Sequence, residues 1–153
     1  MAKKNKRDII KRHLLVESLE EIPTPPPPGF TSPFKTVHEW LFNICDSEQP
    51  KKPISEYSIL LFESSENSIL CLAGYNTYLE QDCESSRIDF KPSHMFFSLP
   101  QDEYKNLSLE QIRERVLNEL IEFTKTDKFL SSYLSEQSLI TTNFAGSIWP
   151  YRR

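Results

Sequence analysis

The sequence predicts an α+β fold: a single domain in which a mainly antiparallel sheet is packed by helices. Three observations predict it. A chain of 153 residues is long enough to close one hydrophobic core. Its apolar stretches switch between helix-like stripes and short strand-like runs, in the order helix, strands, helix, strand, with no internal repeat. One segment, "SLEQ" at Ser108–Gln111, is a capping box that announces a helix start.

Taken in order, "RDIIKRHLLVESLEEI" sets Ile10, Leu14, Leu15 and Leu19 near helical spacing, with Asp8 as N-cap. "PTPPPPGF" then ends the helix, because consecutive prolines favour extended polyproline II. Residues 1–29 are therefore expected to be an arm, a basic helix on a stiff proline-rich spacer, and residues 30–153 the α+β body. A proline run is also a ligand type for SH3 or WW domains, but a spacer is the plainer expectation. In "TSPFKTVHEWLFNICD", Ser32 is placed to cap with Pro33 at the first helical position. Val37, Trp40, Leu41, Ile44 and Cys45 fall on one stripe, with His38 and Glu39 turned away. "SEQPKKP" breaks this helix.

Ile59–Phe62 and Ile69–Leu72 are apolar runs without helical gaps, joined by the turn residues Ser64, Ser65, Glu66 and Asn67. Their continuous apolar character predicts central strands. "YNTYLEQDCESSR" is expected to be a polar connection, and "RIDFKPSHMFFSLP" a third strand limited by Pro92. From Ser108, the stripe Leu109, Ile112, Val116, Leu120 and Phe123 predicts the clearest helix. A short helix in "DKFLSSYL" after Thr126, a strand in "SLITTNF" and a turn at Ala145–Gly146 into "SIW" complete the chain. Trp40 belongs to the core, and Trp149 is expected to anchor the last strand.

Charge narrows the function. Residues 1–13 hold six Lys or Arg against Asp8 alone, +5, which leaves −9 for the rest of a chain whose net charge is −4. An acidic body disfavours nucleic acid, whose affinity rests on phosphate contacts, and favours a basic protein partner that it would steer. The basic N-terminus lacks interleaved aromatics or a recognition-helix motif, so a solvated helix face is expected there. No apolar run approaches the roughly 18 residues of a membrane span, and no signal-peptide core follows the N-terminus, which implies a cytoplasmic protein. Cys45, Cys71 and Cys83 form no CxxC and leave one odd thiol, which suits a reducing compartment. Cys45 and Cys71 are expected to pack as small hydrophobes.

Catalytic chemistry finds little footing. Gly29, Gly74 and Gly146 are the only glycines, so no phosphate-cradling loop can be written. His13, His38 and His94 are scattered, with no HExxH. Asp82, Cys83 and Glu84 with His94 could in principle hold a metal, and Cys83 with His94 could form a nucleophile–base pair. No family motif surrounds them, and a solvated acidic loop accounts for them as well. No acid–base pair stands out among 22 carboxylates. No catalytic residue, metal or cofactor is therefore expected. The acidic residues Glu80, Asp82, Glu84 and Asp89, beside Tyr75 and Tyr78, instead combine charge with aromatic anchors and suit a docking rim.

These residues also carry a resemblance. "VHEWLFNIC", "ILLFESSENSILCLAGYNTYLEQD" and "SLITTNFAGSIW" resemble the layout of small cytoplasmic immunity proteins, which neutralise toxin domains of contact-dependent growth inhibition and related polymorphic toxin systems. The shared features are an "LFE" strand, an "LxG" strand, an acidic link, a helix and a closing "FxGxIW", spanning roughly residues 34–149. The resemblance implies a non-catalytic inhibitor whose partner is a cognate toxin, often a nuclease with a cationic cleft. Glu80, Asp82, Glu84 and Asp89 would pair with toxin Lys or Arg, with Tyr75 and Tyr78 as anchors. The alternative is an adaptor that docks through its proline-rich arm or basic helix.

Overall fold

A computed structural model describes residues 18–47, 49–63, 67–136 and 139–150. The elements are β1 (Ser18–Glu20), α1 (Val37–Asp46), β2 (Glu56–Phe62), β3 (Ile69–Glu80), β4 (Cys83–Phe90) and β5 (Phe96–Ser98). They continue as α2 (Gln101–Tyr104), α3 (Leu109–Phe123), α4 (Asp127–Leu130), a 3-10 turn at Tyr133–Ser135, β6 (Leu139–Thr142) and β7 (Gly146–Trp149). One sheet runs β1-β4-β3-β2-β6-β7, and β5 lies on β3 in line with β4. The β1–β4 and β2–β6 pairs are parallel; every other pair is antiparallel. The α+β expectation holds, and the two apolar runs are indeed central strands.

Pleating divides β2 and β3 between two faces. Tyr57, Ile59, Leu61, Leu70 and Leu72 point into the core that the helices cover. There α1 buries Val37, Trp40, Leu41 and Ile44, and α3 buries Ile112, Val116, Leu120 and Phe123. Trp40 stacks on Phe97 with centroids 5.5 Å apart, and its indole Nε1 donates to the His94 carbonyl at 2.7 Å. Each such fully buried side chain contributes on the order of 1.5–3 kcal/mol of hydrophobic stabilisation. Trp149 packs edge-on to Phe129 at 4.8 Å and donates to the Ser135 carbonyl, as an anchor of the last strand should. Leu109, assigned to the α3 stripe, is half exposed instead. No helix among the described residues is long and apolar enough to cross a membrane.

Several expectations change. The N-terminal helix does not reach Leu19: Ser18–Glu20 is a strand that pairs with β4, and the rest of that helix lies outside the described residues, as do Ser64–Glu66 and the last three residues. Whether the proline segment packs on the body is left open by the sequence; in the structure it lies against it. Pro23 is buried, and Phe30 packs edge-on to Phe96. Helix α1 is capped by Thr36, whose hydroxyl accepts from the Glu39 N–H at 3.0 Å. Ser32, the expected cap, uses its hydroxyl to accept from the Ser98 N–H, tying the incoming chain to β5. The third strand is two strands, β4 and β5, interrupted around Pro92, which has no N–H for a ladder. Finally, the polar connection after Tyr75 is not a loop. It forms the distal half of β3, a two-residue turn and β4.

Candidate functional site

The β3–β4 hairpin is the structural answer to where the predicted docking residues sit. Its root is Gly74, opposite Phe90 on β4 and Tyr57 on β2. Beyond the last β2 pair, Glu56 with Tyr75, five residues of β3 continue with β4 alone on one side. At about 3.3 Å per residue, that carries the ribbon some 16 Å past the central sheet. The other edge of β4 is covered by β1, in register Ser18 with Glu84 to Glu20 with Ser86. The result is a three-stranded ribbon rather than a bare hairpin, which two strands alone would hold only marginally.

The root is braced by a polar knot. The register shifts between Gly74 and Tyr75, so Asp89 has no direct partner on β3. Its carboxylate accepts from the Tyr78 hydroxyl and from Asn76 Nδ2 at 2.9 Å, with Lys52 Nζ 3.5 Å away. The Tyr78 and Asn76 hydrogen bonds, with help from the Lys52 charge, hold the Asp89 carboxyl below the usual carboxylate range. Asn76 also spans to the preceding loop: its Oδ1 accepts from the Ser55 N–H at 2.8 Å, and its Nδ2 donates to the Pro53 carbonyl at 3.0 Å. Lys52 donates to the Tyr78 hydroxyl at 3.1 Å, and Arg87 lies over the Tyr78 ring at 5.1 Å. Loop and ribbon are thus locked together.

At the tip, Gln81 and Asp82 both take left-handed backbone, φ 51° and 66°, the signature of the tight turn whose twist matches a β-hairpin. Asp82 and Glu84 are exposed there and form no ion pair among the described residues; Leu79, paired with Glu84, is 72% exposed. Leu79 was missed in the sequence, although an aliphatic residue inside an otherwise polar run was its signal.

The six predicted residues therefore divide. Asp82 and Glu84 sit together at the tip. Tyr78 and Asp89 are half-buried partners of one another in the knot. Tyr75, paired with Glu56, is only 4% exposed and packs within the sheet. The backbone of Glu80 closes the tip against Cys83, while its side chain lies outside the described residues.

The nucleophile–base pair considered above is not assembled. Cys83 starts β4 at the tip, and His94 lies four residues past the other end of that strand, some 23 Å of extended chain away from Cys83 before the link is counted. The His94 ring packs edge-on to Phe34 at 5.2 Å. Among the described residues, no group of three or more His, Cys, Asp or Glu side chains is placed to hold a metal ion. A separate cleft of about 580 Å³ opens beside α2 and the start of α3, floored by Leu99, Tyr104, Leu107 and Ile112. The Tyr104 hydroxyl donates to Glu119, and Arg113 on α3 makes a two-point ion pair with the rim residue Glu63. Comparison with protein-family models, with curated proteins and with solved structures returns no match, so the function of this chain rests on its own geometry.

Proposed function

We propose that this chain is a non-catalytic immunity protein of the cytoplasm that binds a cognate bacterial toxin domain, a basic nuclease, and blocks its substrate cleft with the β3–β4 ribbon. The observation that carries this reading is the placement of Asp82 and Glu84, exposed and without an ion pair among the described residues, at the end of a braced ribbon. Carboxylates at that tip stand where substrate phosphates would stand, against the Lys and Arg of a nuclease cleft. The acidic remainder of the chain, −9 outside residues 1–13, steers a cationic partner toward it. The knot at Asp89, Tyr78 and Asn76 serves by pre-organisation, since a ribbon already fixed loses little freedom on docking. Leu79 supplies an apolar contact beside the charge, a mixture that suits the centre of an interface.

Co-expression with a candidate toxin domain, sought in the gene immediately upstream of its own, tests this. The parent protein is expected to co-purify with that domain at moderate salt and to restore growth. Absence of a complex, or rescue without binding, overturns the proposal.

A further inference from the structure

We infer that Pro23–Pro28 is a pre-formed polyproline ligand, gripped through Pro25 and Pro28 by a partner domain of the SH3 or WW type, at a surface separate from the acidic ribbon. Covalent chemistry sets its shape. Pro23, Pro25, Pro26, Pro27 and Pro28 fix φ near −65°, and Ile22, Thr24, Pro25, Pro26 and Pro27 each precede a proline, which drives ψ to extended values. Residues 23–27 therefore have little but polyproline II open to them. The chain is accordingly extended there and turns only at Pro28–Gly29, where Gly29 takes φ +87° and the Phe30 N–H reaches the Pro27 carbonyl at 3.3 Å.

Exposure along the segment follows the three-residue turn of that helix. Pro23 is buried and Pro26 half-buried, so this edge lies on the body. Thr24, Pro25, Pro27 and Pro28 are exposed and form the two other edges. Two residue–proline steps, Thr24-Pro25 and Pro27-Pro28, thereby face solvent one turn apart. Paired steps of this kind are what domains with aromatic-lined grooves grip. Among the described residues, no hydrogen bond is made to the carbonyls of Thr24, Pro25 or Pro26, which leaves them open to a reader's donors.

Both ends are tied down. The Glu21 N–H donates to the Ser86 carbonyl at 3.0 Å, and its carboxylate accepts from the Ile88 N–H at 2.7 Å. At the other end Phe30 packs on Phe96 and Ser32 bonds to β5. A spacer between two bodies needs no such anchoring at both ends to one body. A ligand benefits from it, because the ordering entropy is spent before the partner arrives.

The test titrates the full chain by calorimetry against a panel of isolated SH3 and WW domains. Urea unfolding of each variant confirms that it is folded. The parent is expected to bind at least one domain, the Pro25→Ala/Pro28→Ala variant to lose about tenfold or more in affinity, and Pro26→Ala to stay within about twofold. Binding by neither class overturns the proposal. So does equal binding by the Pro25→Ala/Pro28→Ala variant, or an equal loss in Pro26→Ala, which would make the segment only a cover for the sheet edge.

Discussion

Replacing Gly74 with Ala probes the packed junction between sheet and ribbon. A Cβ at that position would come 3.0 Å from Ile54 Cγ2, 3.1 Å from Phe90 Cβ and 3.2 Å from Tyr57 Cε1. Carbon pairs are most favourable at about 3.5–4.0 Å, so all three contacts are compressed. Phe90 Cβ is one bond from the β4 backbone and cannot move alone. The Tyr57 ring is held edge-on by Phe90 at 6.3 Å and tilted against Tyr133 at 6.2 Å. Overpacking of this kind costs about 1–3 kcal/mol. Lower freedom of the unfolded chain returns about 0.4–1 kcal/mol. The net expectation is a loss centred near about 1.3 kcal/mol and no larger than about 2.6 kcal/mol, a fall of about 3–5 °C in Tm at the centre for a chain of this size. Urea unfolding followed by Trp40 and Trp149 fluorescence reads it as a lower midpoint at unchanged m-value. A midpoint equal to or above the parent's refutes the reasoning, because the neighbours would then have yielded without penalty.

The capping box gives a second expectation: Ser108→Ala lowers stability by about 0.5–2 kcal/mol in the same urea assay, while Ser108→Asp retains most of it. Its hydroxyl accepts from the Gln111 N–H at 3.1 Å, and Gln111 returns the bond to the Ser108 N–H at 2.9 Å. Tyr78→Phe removes the first support of the Asp89 carboxylate. Asp89 has a folded pKa below its unfolded value near 3.9, so its contribution is present above that value and is lost as pH falls through the folded pKa. The variant's urea midpoint is expected to lie below the parent's at pH 7, with the gap closing below about pH 4; a gap that persists in acid contradicts this. Burial pushes the Cys71 thiol up to about 12, and its side chain is 0% exposed. Alkylation at pH 8, mapped by mass spectrometry, is expected to modify the half-buried Cys83 well before Cys71, which reacts only through global opening.

Legibility in the sequence followed how locally each feature is determined. Helix α3 was readable because cap and apolar stripe lie within sixteen residues of one another and agree. Strands β2 and β3 were readable because burial of a central strand forces apolar runs. The start of α1 was not: Ser32 and Thr36 both offer a capping hydroxyl, and a tertiary bond to the Ser98 N–H decided between them. Strand β1 has three residues and a partner 66 positions away, so nothing local marks it. The ribbon was hidden because its turn is Gln81–Asp82 without a glycine, and because exposure on the distal half removes the apolar alternation that betrays a strand. Within the candidate site, acidity and aromaticity were readable. Which of those side chains face outward was not, since pairing with Glu56 buries Tyr75 and the register shift at Gly74 turns Asp89 toward Tyr78.

Association of this chain with a toxin domain with which it co-purifies, followed by stopped flow across a range of ionic strength, addresses the role of the ribbon tip. Asp82→Lys/Glu84→Lys is expected to slow association by about tenfold or more at low salt and to flatten or invert its salt dependence, with the fold intact. Association as fast as the parent's, with the same salt dependence, would contradict a carboxylate-led plug.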